Sequence, residues 1–86
     1  MAAGTIVDVR TPEEFEGGHV PGSINIPLDQ VPARTSEFRT MATPIVLCCR
    51  SGARSGQALL YLEARGITGL QNGGGWTDVA MTLDPQ

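Results

Sequence analysis

The sequence contains no lysine and little of several reactive residue types, with two cysteines, one histidine and one tryptophan in 86 residues. All six basic residues are arginine, and nine acidic residues bring the formal net charge to −3. An acidic chain without a basic face is not expected to bind nucleic acid. No stretch approaches the roughly 20 apolar residues of a membrane span, so we expect no membrane partner.

The N-terminus has no basic segment followed by an apolar one, which is the pattern of a signal peptide. We therefore expect a cytoplasmic protein and keep an exported form as the alternative. Cys48 and Cys49 are adjacent, so they cannot link distant parts of a fold by disulfides. One histidine, His19, and an adjacent cysteine pair match no zinc-ligand spacing, and no metal or cofactor is expected. A reactive thiol remains, with an inert buried cysteine as the simpler interpretation.

Eighty-six residues predict one domain, spanning 1–86. Short apolar runs alternate with helical patterns, which is typical of an α/β layer fold. The local signals predict strands at 5–9, 23–26, 45–48 and 68–72, and helices from Thr11, over 28–41, over 55–65 and over 76–80. The helix from Thr11 has an N-cap, Pro12 at its first position and a capping box completed by Glu14. The three glycines at 73–75 predict a flexible turn.

The loop after the third strand carries the strongest chemical signal. Ligands of open α/β sheets bind where strands end and helices begin, and residues 49–54 lie at such a junction. The start of the following helix exposes unpaired N–H groups and about half a positive charge. A cysteine there, flanked by Arg50 and Arg54, is expected to have a lowered pKa and to react as the thiolate.

Three segments carry a resemblance to a known family: "IVDVRTPEEFEGGHVPGSINIP", "IVLCCRSGARSGQAL" and "LQNGGGWTDV". Together they cover most of residues 5–80, and the chain resembles the single-domain rhodaneses, which are thiosulfate sulfurtransferases. The resemblance implies a three-layer α/β fold, with a small, mainly parallel sheet and helices on both faces. It also implies an enzyme that transfers a sulfane sulfur.

In the family, a nucleophilic cysteine opens a six-residue loop that wraps its sulfur in backbone N–H groups. The matching nucleophile is Cys49, which would carry a persulfide taken from thiosulfate or another persulfide donor. The implied substrate-binding residues are Arg50, Ser51, Gly52, Ala53, Arg54, Ser55 and Trp76. The implied partners are a small anionic sulfur donor and a cyanide or thiol acceptor, including a protein thiol.

Two other functions remain open. Cys48 to Arg54 also reads as Cys-x5-Arg followed by Ser55, the signature of phosphatases and arsenate reductases, although the histidine that usually introduces that loop is replaced by Leu47. A non-catalytic binding module with the same fold is the second alternative. For Cys48 we expect a buried inert thiol, and a thiol that resolves the persulfide or pairs with an outside thiol is the alternative.

Other polar residues have simpler interpretations. His19 follows two glycines and is expected to stabilise a turn rather than act as a base. Asp8 and Arg10 leave the same face of the first strand, which predicts an ion pair or hydrogen bonds that tie strand to loop. Trp76 is equally compatible with a core position and with a wall of the active site.

Overall fold

The computed structural model describes residues 4–83, and these form a single parallel sheet with helices packed on it. The strands are β1 (Thr5–Asp8), β2 (Ile24–Asn25), β3 (Ile45–Cys49) and β4 (Leu70–Gly75), in the order β2-β1-β3-β4. The helices are α1 (Pro12–Glu16), α2 (Thr35–Phe38), α3 (Ala53–Ala64) and α4 (Trp76–Leu83). None of these helices is long and apolar enough to cross a bilayer.

The central strand β3 separates two apolar layers, because successive side chains of a strand point to opposite faces. Leu47 and Cys49 belong to the larger buried cluster, which includes the inner side of α3. Cys48 belongs to a smaller cluster on the other face, with Val20 and with Val79 of α4. The predicted three-layer α/β fold, with a parallel sheet and helices on both faces, is therefore confirmed.

The local signals at the start of the chain are also confirmed. Thr11 accepts a hydrogen bond from the Glu14 N–H, and the Glu14 carboxylate accepts one from the Thr11 N–H, so the capping box is complete. Asp8 and Arg10 form the expected ion pair at 2.7 Å. The first strand ends at Asp8, one residue earlier than predicted, and α3 begins two residues earlier, at Ala53.

The helix predicted over 28–41 is wrong as a continuous element. Two 3-10 turns, Leu28–Gln30 and Pro32–Arg34, precede the short helix α2. Pro32 has no N–H to donate and begins the second turn, so an α-helical ladder cannot run through it. The predicted apolar face nevertheless packs inward, because Val31 and Phe38 are each 1% exposed.

The flexible turn predicted at 73–75 is also wrong, because these glycines complete β4. The pairing of β4 with β3 shifts between Leu47 and Cys48, as in a β-bulge, and Gly74 has φ +82°. A Cβ on Gly73 would lie 2.7 Å from both Val46 and Val79. Glycine is required here for the close approach of β3 and α4, not for flexibility.

Candidate active site

The loop between β3 and α3 surrounds the sulfur of Cys49 with hydrogen-bond donors. The backbone N–H of Gly52 donates to Sγ at 3.0 Å, and that of Ser55 donates at 3.5 Å. Gly52 has φ +102°, a left-handed conformation that favours glycine, and it immediately precedes α3. The chain therefore folds back at Gly52, and the start of α3 faces the sulfur with its N–H groups.

These donors stabilise a negative charge on Cys49. Burial raises the pKa of the thiol, but the hydrogen bonds from Ser55 and from the amides of Ser51 and Gly52 outweigh it and lower the pKa from 9.0 to about 7. A substantial fraction of Cys49 is therefore thiolate at neutral pH. Its side chain is 0% exposed, so a reagent reaches the sulfur only when the loop or neighbouring side chains move.

Cys48 lies on the opposite face of the strand and has different surroundings. Its side chain is also 0% exposed, and it packs in the apolar cluster with Val20 and Val79. Burial, together with the nearby Asp8 charge, raises the pKa of this thiol to about 12. Both cysteines are free thiols. The loop amides converge on Cys49, and none of the hydrogen bonds within residues 4–83 places a loop N–H on the Cys48 sulfur.

The two loop arginines have different environments. Arg54 forms two hydrogen bonds with the Glu14 carboxylate, at 2.8 and 3.1 Å, which join the start of α3 to α1. The hydrogen bonds from Arg54 and from the Thr11 backbone lower the pKa of Glu14 to about 2, so this pair stays ionised at neutral pH. Arg50 is exposed and lines a cleft of about 230 Å³ with Trp76, Gly18 and the first turn of α1.

Trp76 lies beside that cleft and has a packing role as well. The guanidinium of Arg10 lies 4.8 Å from the centre of the indole ring, within the range of a cation–π interaction. Arg10 is in turn held by Asp8 and by the carbonyl of Gly18. The structure thus places Trp76 both at the wall of the cleft and against the smaller apolar cluster.

The remaining predicted loop residues lie close to Cys49. Ser51 and Ala53 are exposed at the surface of the loop, and Ser55 is buried beneath it. His19 lies in the irregular segment between α1 and β2, where its ring stacks on Phe15 and its Nδ1 lies 2.7 Å from the Phe15 carbonyl oxygen. Within the described residues, no group of three or more His, Cys, Asp or Glu side chains is placed to hold a metal ion.

Asn72 contacts the loop, and the sequence reasoning did not identify it. Its side-chain N–H donates to the Gly52 carbonyl at 3.1 Å, and its Oδ1 accepts from the Ser55 hydroxyl at 2.7 Å. Asn72 pairs with Leu47 across the sheet, which places it on the same face as Cys49. The available signal was its position at the carboxyl end of the predicted last strand, where α/β proteins bind ligands.

Comparison with known proteins places this fold and loop in one family. The rhodanese-like domain family matches residues 1–81, and the chain belongs to that family. The thiosulfate sulfurtransferase PspE of Escherichia coli is 40% identical over 82 residues, which cover 94% of this chain and 79% of PspE. A solved structure described as a rhodanese with anions from E. coli matches with a TM-score of 0.77 and 38% identity, covering 88% of this chain and 91% of that one.

A second relative differs more in length. The uncharacterized protein YqhL of Bacillus subtilis is 46% identical over 67 residues, which are 78% of this chain. The chain spans about half the length of YqhL, since the match covers 52% of that protein.

Proposed function

We propose that this chain is a sulfurtransferase that moves a sulfane sulfur from thiosulfate, or from a persulfide donor, to a thiophilic acceptor through a persulfide on Cys49. The observation that carries the proposal is the convergence of the Gly52 and Ser55 amides on one sulfur. Family membership adds support, because PspE is named a thiosulfate sulfurtransferase.

The first half-reaction is a displacement at sulfur. The Cys49 thiolate attacks the outer sulfur of thiosulfate and forms a new S–S bond, while the S–S bond of thiosulfate breaks and its electron pair leaves on sulfite. Charge then resides on the terminal sulfur of the persulfide. Backbone N–H groups fixed before the reaction stabilise such a charge without having to reorganise.

The second half-reaction returns the enzyme to its thiolate. Cyanide or an outside thiolate attacks the terminal sulfur, which leaves as thiocyanate or as a new persulfide, and the electron pair of the broken bond returns to Cys49. Cys48 is not placed to act as this acceptor, because it lies on the other face of β3 and burial keeps it protonated.

Arg50 and Arg54 have different roles in the proposed reaction. Arg50 is exposed and directly follows Cys49 in the chain, so its charge attracts an anionic donor to the start of the loop. Arg54 is bonded through its guanidinium to Glu14 and so holds the loop against α1. Trp76 forms one wall of the cleft, and Ser51, Gly52, Ala53 and Ser55 complete the loop around the sulfur.

The experiment is mass spectrometry of the intact protein after incubation with thiosulfate. We expect a gain of about 32 Da, one sulfur atom, in the wild type and in Cys48→Ser, and no gain in Cys49→Ser. Cyanide should then remove the added mass and release thiocyanate. The wild type without thiosulfate is the control for sulfur acquired during expression.

Two results would overturn the proposal. Turnover of phosphate esters or arsenate that only Cys48→Ser abolishes would support the Cys-x5-Arg alternative. A wild type that never gains sulfur would support the non-catalytic module. These contacts favour Cys49 over Cys48 as the nucleophile, because the backbone N–H donors lie on the Cys49 face of β3.

A further inference from the structure

The hydroxyl of Ser55 lies between two acceptors and has one hydrogen to donate. Its Oγ is 2.7 Å from Asn72 Oδ1 and 3.5 Å from the Cys49 sulfur. Ser55 is 0% exposed, so its hydrogen-bond partners are protein groups. The hydrogen can therefore serve Asn72 or the sulfur, but not both at full strength.

The protonation state of Cys49 determines whether the Ser55 hydroxyl hydrogen is better placed on Asn72 or on the Cys49 sulfur. When Cys49 is a thiol, its S–H donates to Ser55 Oγ and the Ser55 hydroxyl donates to Asn72. When Cys49 is a thiolate or a persulfide anion, the sulfur only accepts, and the Ser55 hydroxyl can donate to it only by rotating toward it and giving up Asn72. Asn72 therefore favours the arrangement in which the sulfur carries its proton.

We propose that Asn72 is a positioning residue that controls the proton affinity of the Cys49 sulfur by competing with it for the hydroxyl hydrogen of Ser55. The hydroxyl proton stays on Ser55 throughout, and only its acceptor changes, while the thiol proton leaves to solvent. The inference deepens the proposed function and rests on it for the role of Cys49 as nucleophile.

A purely structural role for Asn72 makes the opposite prediction. Its side-chain N–H bonds the Gly52 carbonyl at 3.1 Å, and its Oδ1 also accepts from the Gly74 N–H at 3.0 Å. If Asn72 only braced the loop, its loss would let the Gly52 amide move away from the sulfur. The thiolate would then lose a donor, and the pKa of Cys49 would rise.

Other charged and titratable groups surround this site, and substitutions at residue 72 leave them in place. They are Arg54 with its partner Glu14, Cys48 with the neighbouring Asp8 and Arg10, Arg50, which follows Cys49 in the chain, and Asp78, which lies beside Gly75, the β4 partner of Cys49. Among the described residues, the Asn72 side chain hydrogen-bonds only Gly52, Ser55 and Gly74. A shift caused by its removal therefore reports on the loop and on Ser55.

The test is a pH titration of the Cys49 thiolate by its ultraviolet absorbance in four proteins: wild type, Asn72→Ala, Ser55→Ala and the double variant. Cys48 is silent below pH 9 because its pKa is about 12. We expect the midpoint of Asn72→Ala to lie about one unit below that of the wild type, since the freed hydroxyl donates to the thiolate. In the Ser55→Ala background, the same substitution should produce no downward shift.

The direction in which the Cys49 midpoint shifts in Asn72→Ala decides between the proposal and a purely structural role for Asn72. An unchanged or raised midpoint in Asn72→Ala would overturn the proposal, and so would a downward shift that persists without the Ser55 hydroxyl. Asn72→Leu, which is close to asparagine in size, repeats the comparison if the alanine variant folds poorly. Sulfur uptake from thiosulfate is measured on the wild type in parallel, so its failure would reject the proposed function while the titration still tests Asn72.

Discussion

Cys48 and Cys49 are consecutive residues of β3, but the two faces of the strand give their thiols opposite properties. Both side chains are 0% exposed. On one face the sulfur receives N–H groups from the loop and its pKa falls to about 7, while on the other burial raises the pKa to about 12. Burial alone therefore does not decide whether a thiol is inert. The presence of fixed donors decides it.

The largest expected effect of this difference is on the rate of alkylation at pH 7. The thiolate fractions of the two cysteines differ by roughly 10⁵, and the greater nucleophilicity of a high-pKa thiolate recovers about 10² of that. We therefore expect iodoacetamide to modify Cys48→Ser, which retains Cys49, roughly 10³-fold faster than Cys49→Ser. Peptide mass spectrometry over a time course measures both rates.

Neither sulfur is exposed in the folded protein, so static exposure does not distinguish the two thiols. Labelling in denaturant is the control, because the two single-cysteine variants should then react at similar rates. Equal rates under native conditions would mean that the loop does not activate Cys49.

A second comparison uses the pH dependence of stability. The pKa of Cys49 is lower in the folded protein than its ordinary value of 9.0, so between pH 7 and 9 the unfolded state binds more protons. The free energy of unfolding should therefore rise over this range, by about 2 kcal/mol, and this contribution is lost as the pH falls through 7. Urea denaturation of the wild type and Cys49→Ala under reducing conditions measures the rise and its absence.

Cys48 should act in the opposite direction above pH 9. Its pKa is raised in the folded protein, so there the folded state keeps a proton that the unfolded state loses, and stability falls as the pH increases. If the free energy of unfolding still rises between pH 7 and 9 in Cys49→Ala, the rise belongs to another group, and the thiolate interpretation is contradicted.

Much of the fold could be predicted because its signals are local. The capping box of Thr11 and Glu14, the apolar run of β3 and the short strands all depend on residues close in sequence. The same holds for the loop, since Gly52 and the start of α3 directly follow Cys49. The placement of N–H donors from this loop around Cys49 could therefore be predicted from the order of residues 49–54.

The errors and omissions depend on contacts between distant residues. Position 73 in β4 requires glycine because Val46 and Val79 leave no room for a Cβ, and Val46 is distant from it in sequence. Arg54 is bonded to Glu14, which is 40 residues away. A sequence pattern does not reveal such partners, so the attachment of Arg54 to α1 is absent from the predictions made from the sequence.

The smallest expected effect separates packing from chemistry at Cys48. Cys48→Ala removes a buried sulfur from the cluster with Val20 and Val79, and we expect it to lower the free energy of unfolding by about 1 kcal/mol. Cys48→Val, which refills the space with an apolar side chain, should retain most of the stability. Urea denaturation measures both, and sulfur uptake from thiosulfate should match the wild type in each. A Cys48→Ala protein of normal stability that fails to take up or release sulfur would place Cys48 in the reaction, and the contrast between the two faces of β3 would no longer explain the chemistry.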